Sequence, residues 1–213
     1  MNEASKQRIR SMTTKLMETS FYKMPASTKY HNNFTGGLFK HSMNVWDSLE
    51  KLTKQMELKW QDEASPYVIA MLHDACKIDA YFFNHDYGCW ERSDKHPEGH
   101  GDLSLKVAEE LDIELTDEEK ACIRWHMGAF DDQENWNEYT KAIHEYPNVL
   151  WVHVADMMAA HILEVNTRCF CGATLRNLAD GHNPAPLKNN GVCCDFCNIT
   201  KVIPARLGSE HNA

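Results

Sequence analysis

Six side chains of this sequence are of the types that hold metal ions, and they recur in the order His, His-Asp, His, His, Asp. His41 stands in "GGLFKHSMNV", His73 and Asp74 in "MLHDACKIDAY", His100 in "GHGDLS", His126 in "IRWHMG" and Asp156 in "HVADMMA". Neutral imidazoles with carboxylates make a donor set for Mn, Fe, Co, Ni or Zn. Two of these groups occupy costly positions. Asp74 follows the apolar run Val68, Ile69, Met71, Leu72, and Asp156 is flanked by apolar residues. An ionised carboxylate on a buried helix face is expensive unless a cation or metal partners it. Lys77, three residues after Asp74, offers one such charge.

Thiols form a second group. Cys169 and Cys171 lie in a Cys-x-Cys-Gly sequence; Cys193, Cys194 and Cys197 form Cys-Cys-x-x-Cys. Two such knuckles resemble those of a zinc ribbon and can close a tetrahedral, thiolate-only structural zinc site. Four ligands are needed. Cys169, Cys171, Cys194 and Cys197 are the chosen set, with Cys193 the alternate to Cys194.

The elements that must position these ligands read as helices. Ile9, Met12 and Leu16 share one face of a first helix, and His41, Val45, Leu49 and Leu52 recur at helical spacing from Leu38 to about Gln55. "SPYVIAMLHDA" is expected to open with Ser65 as N-cap and Pro66 at the first helical position. "DLSLKVAEEL" is a short amphipathic helix. "TDEEKACIRWHM" opens with the capping box Thr116-x-x-Glu119. Pro147 starts "PNVLWVHVADMMAAHILEV". "PASTKYHNNFTGG" and "NHDYGCWERSDKHPEGHG" read as loops, and no strand alternation is evident before residue 165. The expected architecture is all-α: a helical bundle over residues 1–164, then a Cys-rich module over 165–213 that needs a metal to fold.

The composition is globular, with 43% hydrophobic and 25% charged residues in 213. No apolar run reaches the ~20 residues that cross a bilayer. The amphipathic N-terminus lacks a signal peptide's apolar region, so a cytoplasmic protein without a membrane partner is expected. Of the eight cysteines, Cys76, Cys89 and Cys122 are scattered and five crowd residues 169–197 at short spacing, which points to metal rather than disulfides. The net charge is −9. Residues 165–213 hold five basic side chains against three acidic ones, so the first 164 carry all of the excess and more. An acidic body disfavours long nucleic acid, whose binding relies on Lys and Arg at phosphates. The sequence sets no oligomeric state.

Taken together, these motifs resemble the HD-domain metal-dependent phosphohydrolase superfamily. "GGLFKHSMNV", "LHDACKI" and "VADMMA" are similar to its H…HD…D core, and "GHGDLS" and "RWHMG" to the extra histidines of its dinuclear members. "PASTKYHNNFTGGLFKHS" resembles the entry segment of HD-domain 3′–5′ exoribonucleases and of HD hydrolases from phages and mobile elements. The resemblance covers about residues 20–164. It implies a helical bundle with a central site of two divalent transition metals about 3.5–4 Å apart. Asp74 would bridge the ions, His41, His73 and Asp156 would complete one position, and His100 and His126 the other. Asp74 and Lys77 would be catalytic. Lys29, His31, Lys77 and Arg124 are the substrate-contact candidates, and His96 rivals His100.

The activity implied is hydrolysis of a phosphoester or phosphodiester in a nucleotide or short oligonucleotide. A single-strand 3′–5′ exonuclease is the first alternative. A di-iron oxygenase with the same ligand order is the second, disfavoured by Lys77.

Overall fold

The computed structural model describes residues 1–28, 32–85, 89–93, 99–128, 133–164, 169–173, 181–188 and 191–209. The chain divides into two compact units, Met1–Ala160 and His161–Ala213. The first is mostly helical: α1 Glu3–Met17, α2 Gly37–Gln55, α3 Ser65–Leu72, α4 His100–Glu110, α5 Asp117–Arg124, α6 Gln133–Glu145 and α7 Asn148–Met158. A tight 3-10 turn, Ala75–Lys77, follows α3. No helix among the described residues is long and apolar enough to cross a membrane.

α3 is the central element. Val68 through Leu72 are all buried, because α2, α5, α4 and α1 each pack against it. α2 buries Leu38, His41, Val45 and Leu49, one stripe at intervals of three and four residues, and this periodicity carries His41 inward. α7 contributes Val149, Val152 and Ala155 and, on the same inward side, Asp156. Each large apolar side chain buried in this way contributes about 1.5–3 kcal/mol. α1 is fastened by charge as well as by Met12 and Leu16: Arg8 binds both carboxylate oxygens of the fully buried Glu119. The same carboxylate accepts from Ser65 Oγ at 2.8 Å and from Thr116 N–H at 2.9 Å, the second closing the capping box of α5.

Three details depart from the sequence expectations. Ser65 is the first residue of α3 rather than its cap. Ala64 holds the cap position, the Asp62 carboxylate accepts the Ala64 N–H at 2.7 Å, and the Ser65 hydroxyl is drawn to Glu119 instead. Tyr81–Asn84 (β1) and Cys89–Arg92 (β2) pair as an antiparallel hairpin, Tyr81 opposite Arg92. Phe82 and Phe83 are both substantially exposed, so the hairpin has no apolar-polar alternation to announce it; aromatic β propensity and backbone pairing suffice. α6 is unmarked in the sequence. Its inward Tyr139 stacks near Trp125 and Trp136, but the polar residues between those rings dilute the helical period.

In the second unit, Asp195–Cys197 (α8), a wider π turn at Asn198–Val202 and Ile203–Ser209 (α9) form one continuous helical run. His182 and Cys193 form an isolated antiparallel bridge.

Candidate functional site

α3 ends at His73, its C-cap, and Asp74 begins the 3-10 turn. This break points His73 and Asp74 into a space walled by α2, α5 and α7. His41 Nε2 lies 3.2 Å from His73 Nε2, 3.6 Å from Asp74 Oδ2 and 3.0 Å from Asp156 Oδ1. His73 Nε2 is 3.5 Å from Asp74 Oδ2 and 3.9 Å from Asp156 Oδ1. Four donors bound to one ion at ~2.1 Å stand about 3.0 Å apart at right angles and about 4.2 Å apart in line. Every one of these separations falls within that interval. His41, His73 and Asp74 thus form a group able to hold a metal ion.

The other oxygen of Asp74 faces a second direction: His126 Nε2 is 3.7 Å from Asp74 Oδ1. That nitrogen is fully buried and has no hydrogen-bond partner. A buried orphan of this kind carries a desolvation cost that a metal ion would offset. The tautomers are suited to ligation. His73 Nδ1 donates to Ala70 O at 2.9 Å, and His126 Nδ1 donates to Ile123 O at 2.7 Å. A carbonyl can only accept, so in the neutral rings the Nε2 lone pairs face the centre. His153 of α7 donates through Nδ1 to His126 O at 2.7 Å, bracing the turn that carries His126.

The electrostatics also call for a cation. Burial opposes ionisation of Asp74, but Lys77, His73 and His126 outweigh it and hold the carboxyl well below the usual carboxylate range. Burial likewise opposes Asp156, and His41, His73 and His126 prevail, so it too stays ionised. Burial pushes His73 down to about 4, leaving it neutral at pH 7. For His126, burial works against the proton, but Asp74 and Asp156 raise the pKa overall. Lys77 Nζ donates to Asp74 Oδ2 at 2.6 Å; burial weakens its hold on the proton, but Asp74 dominates and raises the pKa. Two ionised carboxylates share the centre, and only Asp74 has an ammonium partner, so a negative surplus remains that a divalent ion would neutralise. Donor types, separations and the orphaned nitrogen all fit a metal ion.

His100, the first residue of α4, is half-buried and lies beside Cys76: His100 Nδ1 and Cys76 Sγ are 3.6 Å apart. α4 approaches this closely because residue 101 is glycine. A Cβ there would lie 2.0 Å from Arg124 O at the end of α5. Asp74, Cys76 and His100 form a further group within metal-holding distance. Cys76 was not singled out in the sequence; only its place two residues past Asp74 could have suggested it. Arg124 is exposed, paired with Asp102 at 3.2 Å. It lines a pocket of about 120 Å³ with His100, Trp125 and Met127. Lys29, His31 and His96 lie outside the described residues.

In the second unit Cys169, Cys171, Cys194 and Cys197 converge as a four-thiol group. Cys171 Sγ and Cys194 Sγ are 3.9 Å apart, close to the ~3.8 Å that a tetrahedral angle and ~2.3 Å Zn–S bonds dictate. Cys193 turns away, its thiol directed to Asn183 O. Burial resists ionisation of Cys169, but backbone N–H groups of Cys171 and Cys194 and the neighbouring thiols bring it down to about 6. Burial, with the hydrogen bonds of the adjoining thiols, pushes Cys197 up to about 12. Comparison with protein-family models, curated proteins and solved structures finds no match to this chain.

Proposed function

We propose that this chain is a metal-dependent phosphohydrolase of the HD type. It would hold two divalent transition-metal ions among His41, His73, Asp74, His100, His126 and Asp156 and hydrolyse a phosphoester or phosphodiester of a nucleotide-type substrate. The observation that carries the reading is the placement of Asp74. One of its oxygens faces His41, His73 and Lys77, and the other faces His126. Divalent ions bound there would supply a Lewis acid for a phosphoryl oxygen and a water acidic enough to deprotonate near neutral pH.

The chain's own residues do the rest. Lys77 keeps Asp74 ionised and adds fixed positive charge where negative charge develops on a phosphoryl group. His73 and His126 keep their protons on Nδ1 and their lone pairs on the centre. His153 steadies the turn that carries His126. Once a divalent ion partners Asp74, the Lys77 ammonium would be left to match an anionic substrate, which supports phosphoester over oxygen chemistry. The acidic body supports a small substrate over long nucleic acid. The four-thiol group of the second unit would hold one structural zinc, with no open position for substrate.

The test is phosphate release from mononucleotides, cyclic nucleotides and short oligonucleotides by protein supplied with Mn, Fe, Co, Ni or Zn. We expect turnover of at least one class and its loss in Asp74→Ala with helical circular dichroism retained. No turnover with any ion and substrate, or full turnover in Asp74→Ala, overturns the proposal.

A further inference from the structure

The ligand set expected from the sequence contains no sulfur in the bundle, yet the Cys76 thiol, beside Asp74 and His100, is held in a specific pose. Cys76 is anchored by its backbone: its N–H donates to Ser104 Oγ at 3.1 Å. Ser104 is fully buried on α4, one turn beyond His100, so both residues lie on the same helix face. α4 therefore grips Cys76 twice, once through its peptide nitrogen and once through its thiol. The missing Cβ of Gly101 lets α4 pack directly against the Arg124 carbonyl. The ligand atoms of Asp74, Cys76 and His100 all lie within 4.8 Å of one another.

The separation of sulfur and nitrogen is the decisive quantity. Zinc bonds of ~2.3 Å to sulfur and ~2.05 Å to nitrogen, at a tetrahedral angle, put the two donors about 3.6 Å apart. Cys76 Sγ and His100 Nδ1 are 3.6 Å apart.

We infer that Cys76 is itself a metal ligand, joining Asp74, His100 and His126 at the second ion position. A single thiolate makes this position selective for zinc, cobalt or cadmium over manganese or magnesium. His41, His73 and Asp156 form the other position with the shared Asp74, and that position remains a site of nitrogen and oxygen donors only. The bundle would then carry two chemically unlike ions. This inference rests on the metal-centre reading above, and its test separates the two.

Cadmium-113 NMR of the full chain loaded with cadmium reports sulfur ligation directly, because each thiolate moves the resonance downfield. Three resonances are expected: one from four thiolates, one at the intermediate position of a single thiolate, and one from nitrogen and oxygen donors. In Cys76→Ala the intermediate resonance should vanish or move to the nitrogen-oxygen region while the four-thiolate resonance stays. The four-thiolate and nitrogen-oxygen resonances, if unmoved, certify that both units are folded. His100→Ala should remove the same intermediate resonance. If the wild-type spectrum shows nitrogen-oxygen and four-thiolate signals and nothing between, or if Cys76→Ala leaves it unchanged, Cys76 is not a ligand and the phosphohydrolase reading stands. If only the four-thiolate signal appears, the bundle holds no metal and both readings fall.

Discussion

Lys77→Met should weaken the metal-free protein yet tighten its hold on metal. In the absence of an ion, Lys77 Nζ sits 2.6 Å from Asp74 Oδ2, and both side chains are buried. Removing one partner of a buried pair costs about 3–5 kcal/mol, chiefly because the other charge is stranded. Methionine keeps most of the apolar stem, so little cavity is added, and a proton taken up by a neighbouring histidine relieves part of the strain. The lower end, about 3 kcal/mol, is the expected loss. For a unit of this size that corresponds to roughly 6–12 °C in melting temperature. A bound divalent ion partners Asp74 in place of the ammonium, so the same substitution should then cost about 1 kcal/mol. The difference, about 2 kcal/mol, is a coupling between lysine and ion. By linkage the variant should bind its ion about 30-fold more tightly, even as turnover falls.

Urea denaturation followed by tryptophan fluorescence measures the stability side. All six tryptophans (Trp46, Trp60, Trp90, Trp125, Trp136 and Trp151) belong to the first unit, so the signal reports on that unit. Isothermal titration measures the affinity. Equal destabilisation with and without ion, or weaker binding by the variant, would refute the reasoning. It would mean that Lys77 arranges the ligands rather than competing with the ion for Asp74.

The metal-free protein should lose stability as pH falls from 6.5 toward about 4. In that window the unfolded chain protonates His73 and the folded chain refuses the proton, so His73→Asn should flatten the acid limb of the urea midpoint, and an unchanged slope would count against it. Gly101→Ala should cost about 1–3 kcal/mol, because the new Cβ meets backbone that cannot yield, and should lower metal content in the bundle; an unaltered melting curve would show that α4 is free to move. Cobalt-loaded protein should lose most of its tetrahedral thiolate absorption in Cys194→Ala and keep it in Cys193→Ala, and the reverse pattern would exchange their roles.

What the sequence revealed, it revealed through conflict. Asp74 and Asp156 stood out because a carboxylate beside an apolar helix face has to be partnered, and the structure gathers both with His41, His73 and His126. Helical period placed α1 and α2, the capping box Thr116-x-x-Glu119 marked the start of α5, and Pro147 marked the start of α7. The hairpin escaped because Phe82 and Phe83 are both exposed and present no alternation. α6 escaped because its aromatic positions are spaced by polar residues. Cys76 escaped for a different reason: the apolar run stops at His73-Asp74, but nothing in the spacing says that the chain then tightens into a 3-10 turn, and that change of winding brings the thiol to His100. Tertiary approach, here allowed by a missing Cβ at Gly101, is invisible to periodicity.

The protons on His73 and His126 are held by main-chain oxygens, those of Ala70 and Ile123, three residues earlier in each case. No side chain is enlisted. Where a neighbouring side chain holds a buried imidazole, the orientation of the ring can drift when that residue changes. Here it is a property of where two helices end. A lineage that preserves those two endings inherits both lone pairs intact, whatever happens to the surrounding side chains, so the part of the centre most sensitive to chemistry is the part least exposed to point mutation.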